Sequence, residues 1–173
     1  MKMTVLGTGK VGQTLAGALD ALGHEVAMGT RNPEVTLSRA DAEFSQWLEA
    51  HPYVTLLPYA EASARAEVVL NVTHGETSLS TLEGIGAATL AGKILLDLAL
   101  PLDLSQGFPP TLTVANTDSL GEQVQRAFPE TKVVKSLTSV FHEVMVEPTR
   151  IPGEHNLFIA GNDNDAKDVV RVS

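Results

Sequence analysis

The sequence predicts an α/β fold built around a doubly wound, mostly parallel sheet with helices on both faces. Short apolar segments alternate along the chain with longer segments whose apolar residues recur at helical spacing. No linker, repeat or low-complexity tract interrupts this alternation. We therefore expect residues 1–173 to form a single domain.

The first half of the chain supplies most of the predicted strands. The first strand, Met3–Leu6, is apolar and leads into a helix over Val11–Leu22, whose leucines recur at i, i+4 and i+7 before Gly23. The elements that follow are strands at Glu25–Gly29, Tyr53–Leu57, Val68–Val72 and Ile94–Leu98, with helices at Leu37–Ala50 and Tyr59–Arg65.

The second half continues the alternation with shorter segments. Its predicted elements are strands at Leu112–Ala115, Lys132–Lys135 and Leu157–Ala160, a helix over Leu120–Phe128 with an N-cap at Asp118 or Ser119, and a final helix from Asn164 or Asp165. Repeated βα units with apolar strands are typical of a parallel sheet that is buried on both faces.

A glycine-rich turn joins the first strand to the first helix. It reads Gly7-Thr8-Gly9-Lys10-Val11-Gly12, a G-x-G-x-x-G fingerprint in the position that a dinucleotide site requires. Gly7 would make the tight turn, Gly9 would let the backbone approach a pyrophosphate, and Gly12 would let helix and strand pack closely. The N-terminus of the helix adds unpaired N–H groups and a positive partial charge. The segment predicts a Rossmann-type site.

The residues after the second strand indicate which dinucleotide binds. A site for NAD would place an acidic residue here, but positions 27 to 33 contain none. Thr30 and Arg31 occupy the place instead, followed by Asn32. A guanidinium can bind a 2′-phosphate through two parallel hydrogen bonds, and the hydroxyl and amide could donate others. We therefore predict NADP(H), with Lys10 adding positive charge from the turn.

Composition excludes several other classes of partner. The formal net charge of −9 argues against nucleic acid and anionic membranes. No apolar run approaches the about 18 residues of a membrane span, and no leader pattern is present, so we expect a cytoplasmic protein. The chain has no cysteine, and Asp163 and Asp165 lack the glycine and glutamate of a calcium loop. No metal site is predicted.

The carboxyl ends of the strands predict where the rest of the site lies, because ligands of open α/β sheets bind there. The segments concerned are Asn71–Gly75, Leu98–Leu102 and Ser136–Val140. Within them His74 could donate a proton or contact the cofactor, and the second role is favoured. No catalytic acid–base pair is evident. Hydride transfer between two flat rings held face to face does not need one.

Several segments, taken in order, resemble the NADPH-dependent coenzyme F420 reductases. Besides the glycine turn they are Gly23–Val26, Gly29–Pro33, Asp97–Asp103, Asn116–Glu122 and Val133–Leu137. The resemblance runs through nearly the whole chain. It implies a Rossmann domain that passes hydride between NADP(H) and coenzyme F420, a deazaflavin, or a related flavin-type acceptor.

The resemblance also implies contact residues, which join those expected from the fold. The predicted cofactor-binding set is Gly7, Thr8, Gly9, Lys10, Val11, Gly12, Thr30, Arg31, Asn32, Asn71, Val72, Thr73, His74, Ala99 and Pro101. The predicted substrate-binding set, near the acceptor ring, is Leu137, Thr138, Ser139 and Val140. No residue is assigned a catalytic role.

The chain departs from the family pattern in three places. Leu100 and Thr138 stand where relatives commonly carry asparagine, and relatives continue through further C-terminal helices beyond the position of Ser173. Apolar surface left uncovered there would need a partner, so we predict a homodimer. Two other functions stay open. One is a non-catalytic NADP-binding module that senses redox state. The other is an NADPH-dependent reductase of a small metabolite, with Lys135 as its candidate acid, although a structural role for that lysine is favoured.

Overall fold

The chain forms a seven-stranded sheet between two layers of helices. The computed structural model describes residues 1–40 and 42–172, so Asp41, inside a predicted helix, and Ser173, the predicted end of the domain, lie outside it. The strands are β1 (Lys2–Leu6), β2 (Glu25–Thr30), β3 (Thr55–Pro58), β4 (Val68–Asn71), β5 (Ile94–Asp97), β6 (Leu102–Asp103), β7 (Thr111–Leu112), β8 (Lys132–Lys135) and β9 (Ala160–Gly161). The helices are α1 (Lys10–Ala21), α2 (Pro33–Leu37), α3 (Glu43–Ala50), α4 (Tyr59–Arg65), α5 (Gly75–Ile85), α6 (Ala87–Leu90), α7 (Leu120–Ala127), α8 (His142–Val146) and α9 (Asn164–Val172), with a 3₁₀ turn at Pro148–Arg150.

The strand order of the sheet is β3-β2-β1-β4-β5-β8-β9. The chain therefore starts in the middle, winds outward to β3, and returns past β1 to wind the other way. Neighbouring strands are parallel except β8 and β9, which run antiparallel. This is the doubly wound Rossmann-type order, and the predicted fold class is confirmed. The order switches between β1 and β4, where Leu6 lies beside Asn71.

Alternating side chains of the strands divide the apolar core into two halves. In β4, Val68 and Leu70 pack on the side of α1, α3 and α9, whereas Val69 packs on the side of α5 and α7. The same alternation separates Val133 from Val134 in β8. Because both faces of the sheet are covered, the strands read in the sequence as continuous apolar runs.

The helix predicted over Leu37–Ala50 is right only in its second half, which is α3 and ends at the predicted Ala50, whereas Leu37 is the last residue of the separate helix α2. The side-chain oxygen of Asn32 accepts a hydrogen bond from the N–H of Val35 at 3.1 Å, and Pro33 occupies the first helical position. These two features start a helix four residues earlier than its apolar residues indicate. Ala42, in the left-handed conformation with φ 50°, then precedes the start of α3.

The predicted strand over Leu112–Ala115 is also wrong as a member of the main sheet. Its first residue belongs to β7, which pairs antiparallel with β6 in a separate two-stranded ribbon. Proline at 109 and 110 cannot donate to a ladder, and Asn116 is left-handed with φ 65°. The strand predicted over Leu157–Ala160 is shifted to Ala160–Gly161 and is antiparallel. Helices α5, α6 and α8 were not predicted, because polar residues separate the apolar ones of α5, and α6 and α8 span only four and five residues.

Of the two predicted N-caps of α7, Asp118 and Ser119, the structure shows Ser119. The Ser119 hydroxyl accepts the N–H of Glu122 at 3.2 Å and donates to the carboxylate of the same residue at 2.8 Å, a reciprocal capping box. Beside it, hydrogen bonds from Arg126 and Gln123 lower the pKa of Asp118 to about 2. The capping box therefore anchors the helix that packs beside β8.

Gly12 sets how closely α1 can approach the end of β1. A Cβ added to Gly12 would lie 2.2 Å from the carbonyl oxygen of Gly7, which is backbone and cannot rotate away. We expect Gly12→Ala to lower the free energy of unfolding by about 1–3 kcal/mol, measured by urea denaturation.

The matched control for this prediction is Gly84→Ala in α5, where an added Cβ has no neighbour within 4 Å. It should raise the free energy of unfolding by about 0.5–1 kcal/mol, because alanine has less backbone freedom to lose. Equal changes in the two variants would contradict the account of this packing.

Candidate functional site

The glycine turn between β1 and α1 contains two glycines held by backbone contacts and one that faces open space. Gly7, with φ 118°, donates its N–H to the carbonyl of Gly29 at 3.0 Å, and an added Cβ would lie 3.1 Å from the carbonyl oxygen of Val72. Gly9 precedes the first helical residue, and a Cβ added there would have no neighbour within 4 Å. The open side of the turn therefore leaves room for a ligand to approach the backbone.

The N-terminus of α1 is electrostatically suited to an anion. Its first turn contains no acidic residue and begins with Lys10, although a cation at this end of a helix is unfavourable unless an anion is near. The first N–H groups of a helix have no partner within the helix. Gln13 donates its side-chain amide to the carbonyl of Thr8 at 2.9 Å and so holds the turn in shape. The predicted charge of Lys10 is shared, because its ammonium pairs with Glu43 of α3.

Thr30 and Asn32 serve the fold at the end of β2. The Thr36 hydroxyl donates to the carbonyl of Asn32 at 3.0 Å, so the buried Thr30 hydroxyl is the donor in its 2.7 Å bond to Thr36. The Thr30 hydroxyl is thus bonded within the protein, and its contact with a phosphate stays a prediction. The side-chain oxygen of Asn32 caps α2, as described above. Both residues anchor α2 against the end of the strand.

Arg31 is exposed and has no hydrogen-bond or ion-pair partner among residues 1–40 and 42–172. It lines an open cleft of about 350 Å³ together with Pro58, Tyr59 and Thr81. Burial raises the pKa of Tyr59, while the positive charges of Arg31 and Arg39 act in the opposite direction. The guanidinium of Arg31 is thus positioned beside a cleft with its donors uncommitted.

A buried polar network lies under the carboxyl ends of the central strands. Asn71 is fully buried, and its amide donates to Asp97 at 2.8 Å and to Ser78 at 2.6 Å, while its oxygen accepts the hydroxyl of Thr73 at 2.7 Å. Asp97, also fully buried, accepts the ammonium of Lys135 at 2.8 Å. Asn71, whose predicted contact with the cofactor stays a prediction, lies in the interior and orients Thr73.

The same network fixes the loop after β5. Lys135 donates a second hydrogen bond to the carbonyl of Ala99, whose own N–H donates to Asp97 at 3.1 Å. Both polar backbone atoms of Ala99 are therefore engaged within the fold. A Cβ added to Gly75 would lie 2.0 Å from the carbonyl oxygen of Leu100, so the loops after β4 and β5 are pressed together. Lys135 has the structural role that its sequence position favours.

The other residues predicted to lie near the nicotinamide are in or beside the loops after β4 and β5. Val72 and Thr73 are partly buried, Pro101 is buried, and His74 is exposed. His74 precedes α5, and its side chain makes no capping hydrogen bond. The ring of His74 is therefore the exposed polar group at the end of β4.

The predicted acceptor segment turns sharply after β8. Leu137 is left-handed with φ 64°, an uncommon conformation for a side chain of its size, and its carbonyl accepts the N–H of Val140 at 3.1 Å. The buried Ser136 donates its hydroxyl to the carbonyl of Phe158 at 2.9 Å. The side chain of Leu137 lines an apolar groove of about 520 Å³ between α1, α8 and α9, whereas Ser139 is exposed.

Three residues that shape the site carry no role in the sequence analysis. They are Asp97, Arg39 and Tyr59. Asp97 had a detectable signal, because it is a charged residue that ends an otherwise apolar strand. Arg39 and Tyr59 had no such signal. The position of Arg39 depends on the break between α2 and α3, which the sequence analysis did not predict.

Comparisons with known proteins agree with this geometry. Residues 2–101 match the family model described as NADP oxidoreductase coenzyme F420-dependent. The F420-dependent NADP reductase of Methanocaldococcus jannaschii is 31% identical over 174 residues, covering 98% of this chain and 77% of that protein. The chain belongs to this family.

Further relatives support the assignment. The F420-dependent NADP reductase of Methanothermobacter marburgensis is 28% identical over 173 residues, covering 98% of this chain and 76% of that protein. A crystal structure from Arthrobacter sp. FB24, assigned to the F420-dependent NADP reductases, is 55% identical with a TM-score of 0.96. It covers 99% of this chain, which in turn covers 78% of that one. The prediction of a Rossmann-type, NADP-dependent oxidoreductase is confirmed. Within the described residues, no helix has the length and apolar character needed to cross a membrane.

The buried pair of Asp97 and Lys135 leads to a stability prediction. Lys135→Met leaves a fully buried carboxylate without its cation and should lower the free energy of unfolding by about 3–5 kcal/mol. Because Asp97→Asn removes the charge, the double variant should lose less than the two single losses together. Urea denaturation of the four proteins measures this coupling.

The control for this cycle is Arg65→Met, which breaks an exposed pair with Glu61 and should cost less than about 1 kcal/mol. If Lys135→Met costs no more than Arg65→Met, the buried pair does not hold the strand ends.

Proposed function

We propose that the chain transfers hydride between NADP(H) and coenzyme F420 or a closely related flavin-type acceptor. Membership of the family and the names of two curated relatives support the pairing of these two cofactors. The observation that carries the choice of NADP(H) is the uncommitted guanidinium of Arg31 at the end of β2. Arg31 lies two residues after Gly29, whose carbonyl accepts the N–H of Gly7 in the glycine turn, and positions 27 to 33 contain no carboxylate that would repel a phosphate.

The glycine turn and the end of β2 form the binding half of the proposed site. We assign the pyrophosphate to the N–H groups around Gly9 and Val11, and the 2′-phosphate to Arg31. The turn fits this role because its backbone is open at Gly9 and the first turn of α1 lacks acidic side chains. Bound NADPH would supply the hydride. The protein residues bind and orient it.

The loops after β4 and β5 form the part of the proposed site where the hydride is transferred. We assign the nicotinamide side to the border formed by Val72, Thr73, His74, Ala99 and Pro101, and the acceptor ring to Leu137–Val140. The close contact of Gly75 with Leu100 would fix the distance between the loops after β4 and β5. A fixed spacing is what hydride transfer between two rings requires, with donor and acceptor carbons at about 3–3.5 Å.

We further propose a cytoplasmic homodimer whose subunit is one domain over residues 1–173. The groove between α1, α8 and α9 supports the dimer, because its lining is mainly apolar and includes the exposed Leu22 and Leu157. An open apolar surface of this kind favours association. Sedimentation equilibrium tests the proposal, and a species of 18.3 kDa at micromolar concentration would contradict it.

Arg31 allows a direct test of nucleotide choice. Arg31→Ala should weaken NADPH binding by about ten- to a hundredfold, the value of one charge-assisted contact, and leave NADH binding nearly unchanged. Nucleotide fluorescence titration measures both affinities. Arg65→Ala is the matched control, since this arginine is exposed on α4 and pairs with Glu61. Equal losses for NADPH and NADH would count against the role of Arg31.

Turnover with two cofactors tests the reaction itself. When the protein is mixed with NADPH and coenzyme F420, the absorbance of NADPH should fall as it is oxidised. The same assay with FMN in place of F420 tests a flavin as the acceptor. Turnover should disappear at saturating F420 when NADPH is replaced by an equal concentration of NADH. Tight NADPH binding without any turnover would instead indicate the redox-sensing module. Turnover only with small imines or carbonyl compounds would indicate the metabolite reductase.

A further inference from the structure

The short helix α2 leads the chain from the end of β2 back toward the glycine turn, so that Arg39 reaches Thr8. This helix lies between Arg31 and Arg39 and is fixed at its start by the Asn32 cap and by the bond between Thr30 and Thr36. Its end is fixed as well, because the Ser45 hydroxyl of α3 donates to the carbonyl of Leu37 at 2.9 Å. A helix anchored at both ends restricts where Arg39, two residues beyond its last residue, can lie.

The guanidinium of Arg39 contacts the turn directly. Its Nη1 donates to the hydroxyl oxygen of Thr8 at 3.2 Å. Thr8 lies between Gly7 and Gly9, and it is 6% exposed. An arginine carries five N–H donors, so this single bond leaves others for a ligand. The contact therefore holds a cation at the edge of the proposed nucleotide site.

Arg39 and Arg31 act on the same region. The phenol of the half-buried Tyr59, which lines the cleft beside Arg31, lies within electrostatic reach of both guanidinium groups. Lys10, the other cation expected here, is paired with Glu43. A dianionic phosphate placed between the two guanidinium groups would be attracted by both.

We propose that Arg39 joins Arg31 in binding the 2′-phosphate of NADP(H), as a second specificity-determining residue. The inference rests on the proposed role of Arg31. Thr8 would hold one side of the Arg39 fork, and the remaining N–H groups would face the phosphate. A 2′-phosphate carries close to two negative charges at neutral pH, which suits two guanidinium groups better than one.

The test compares nucleotides with and without the 2′-phosphate. Arg39→Ala should weaken binding of NADPH by about tenfold and change binding of NADH by less than about twofold. Displacement of NADPH by 2′,5′-ADP and by 5′-AMP gives a second readout that needs no turnover. The Arg39→Ala loss should appear with 2′,5′-ADP and not with 5′-AMP. Arg39→Lys keeps the charge without the fork and should recover part of the affinity.

Arg31→Ala and Arg65→Ala measured in parallel separate the possible failures. If Arg31→Ala weakens NADPH selectively and Arg39→Ala does not, the inference about Arg39 is overturned and the proposed function stands. Equal losses of NADPH and NADH in Arg39→Ala would also overturn it, since they would place this arginine on the shared pyrophosphate. If neither variant differs from Arg65→Ala, the proposed NADP(H) site itself fails. Thermal denaturation of each variant shows that the folded protein is being compared.

Discussion

An ion pair between the fully buried Asp97 and the partly buried Lys135 holds the strand ends on which the proposed site is built. The carboxylate is fully buried, and each of its oxygens accepts hydrogen bonds, from Asn71 and the backbone of Ala99 on one side and from the lysine on the other. Burying a charge is costly unless partners of this quality are present. By joining β4, β5 and β8 at one edge, the pair determines where the loops that follow these strands can lie.

The cations near the carboxyl ends of the strands differ in how far their charges are already paired. The chain as a whole is acidic, with a formal net charge of −9, so a polyanion can bind only where cations are gathered locally. Lys135 pairs with the buried Asp97, and Lys10 pairs with Glu43. Arg31 and Arg39 are the cations at the end of β2 and after α2, and Asn32 and Thr30 are occupied in holding that helix in place. Positive charge therefore collects beside the glycine turn through the fold of a short helix.

Sequence reasoning succeeded where a local rule determines the outcome. The glycine turn was predictable because Gly7 has a positive φ and Gly12 must lack a side chain for α1 to meet the end of β1. The capping box at Ser119 was predictable because its residues are neighbours in sequence. The division of residues 33–50 into two helices was not predictable from apolar spacing, because Pro33 and the left-handed Ala42 outweigh it. The interior role of Asn71 also depends on Asp97, 26 positions away. Contacts of that kind exist only once the sheet has formed.

Phosphorus NMR of the bound nucleotide tests the central electrostatic claim most directly. A phosphate monoester free in solution loses its second proton at about pH 6. Guanidinium groups stabilise the dianion, so the pKa of the 2′-phosphate in the complex with NADP⁺ should lie well below that value. A 2′-phosphate resonance that stays at its dianionic position as the pH is lowered from 8 through about 6 is the predicted result. Titration at the same pH as the free nucleotide, in a saturated complex, would contradict the account.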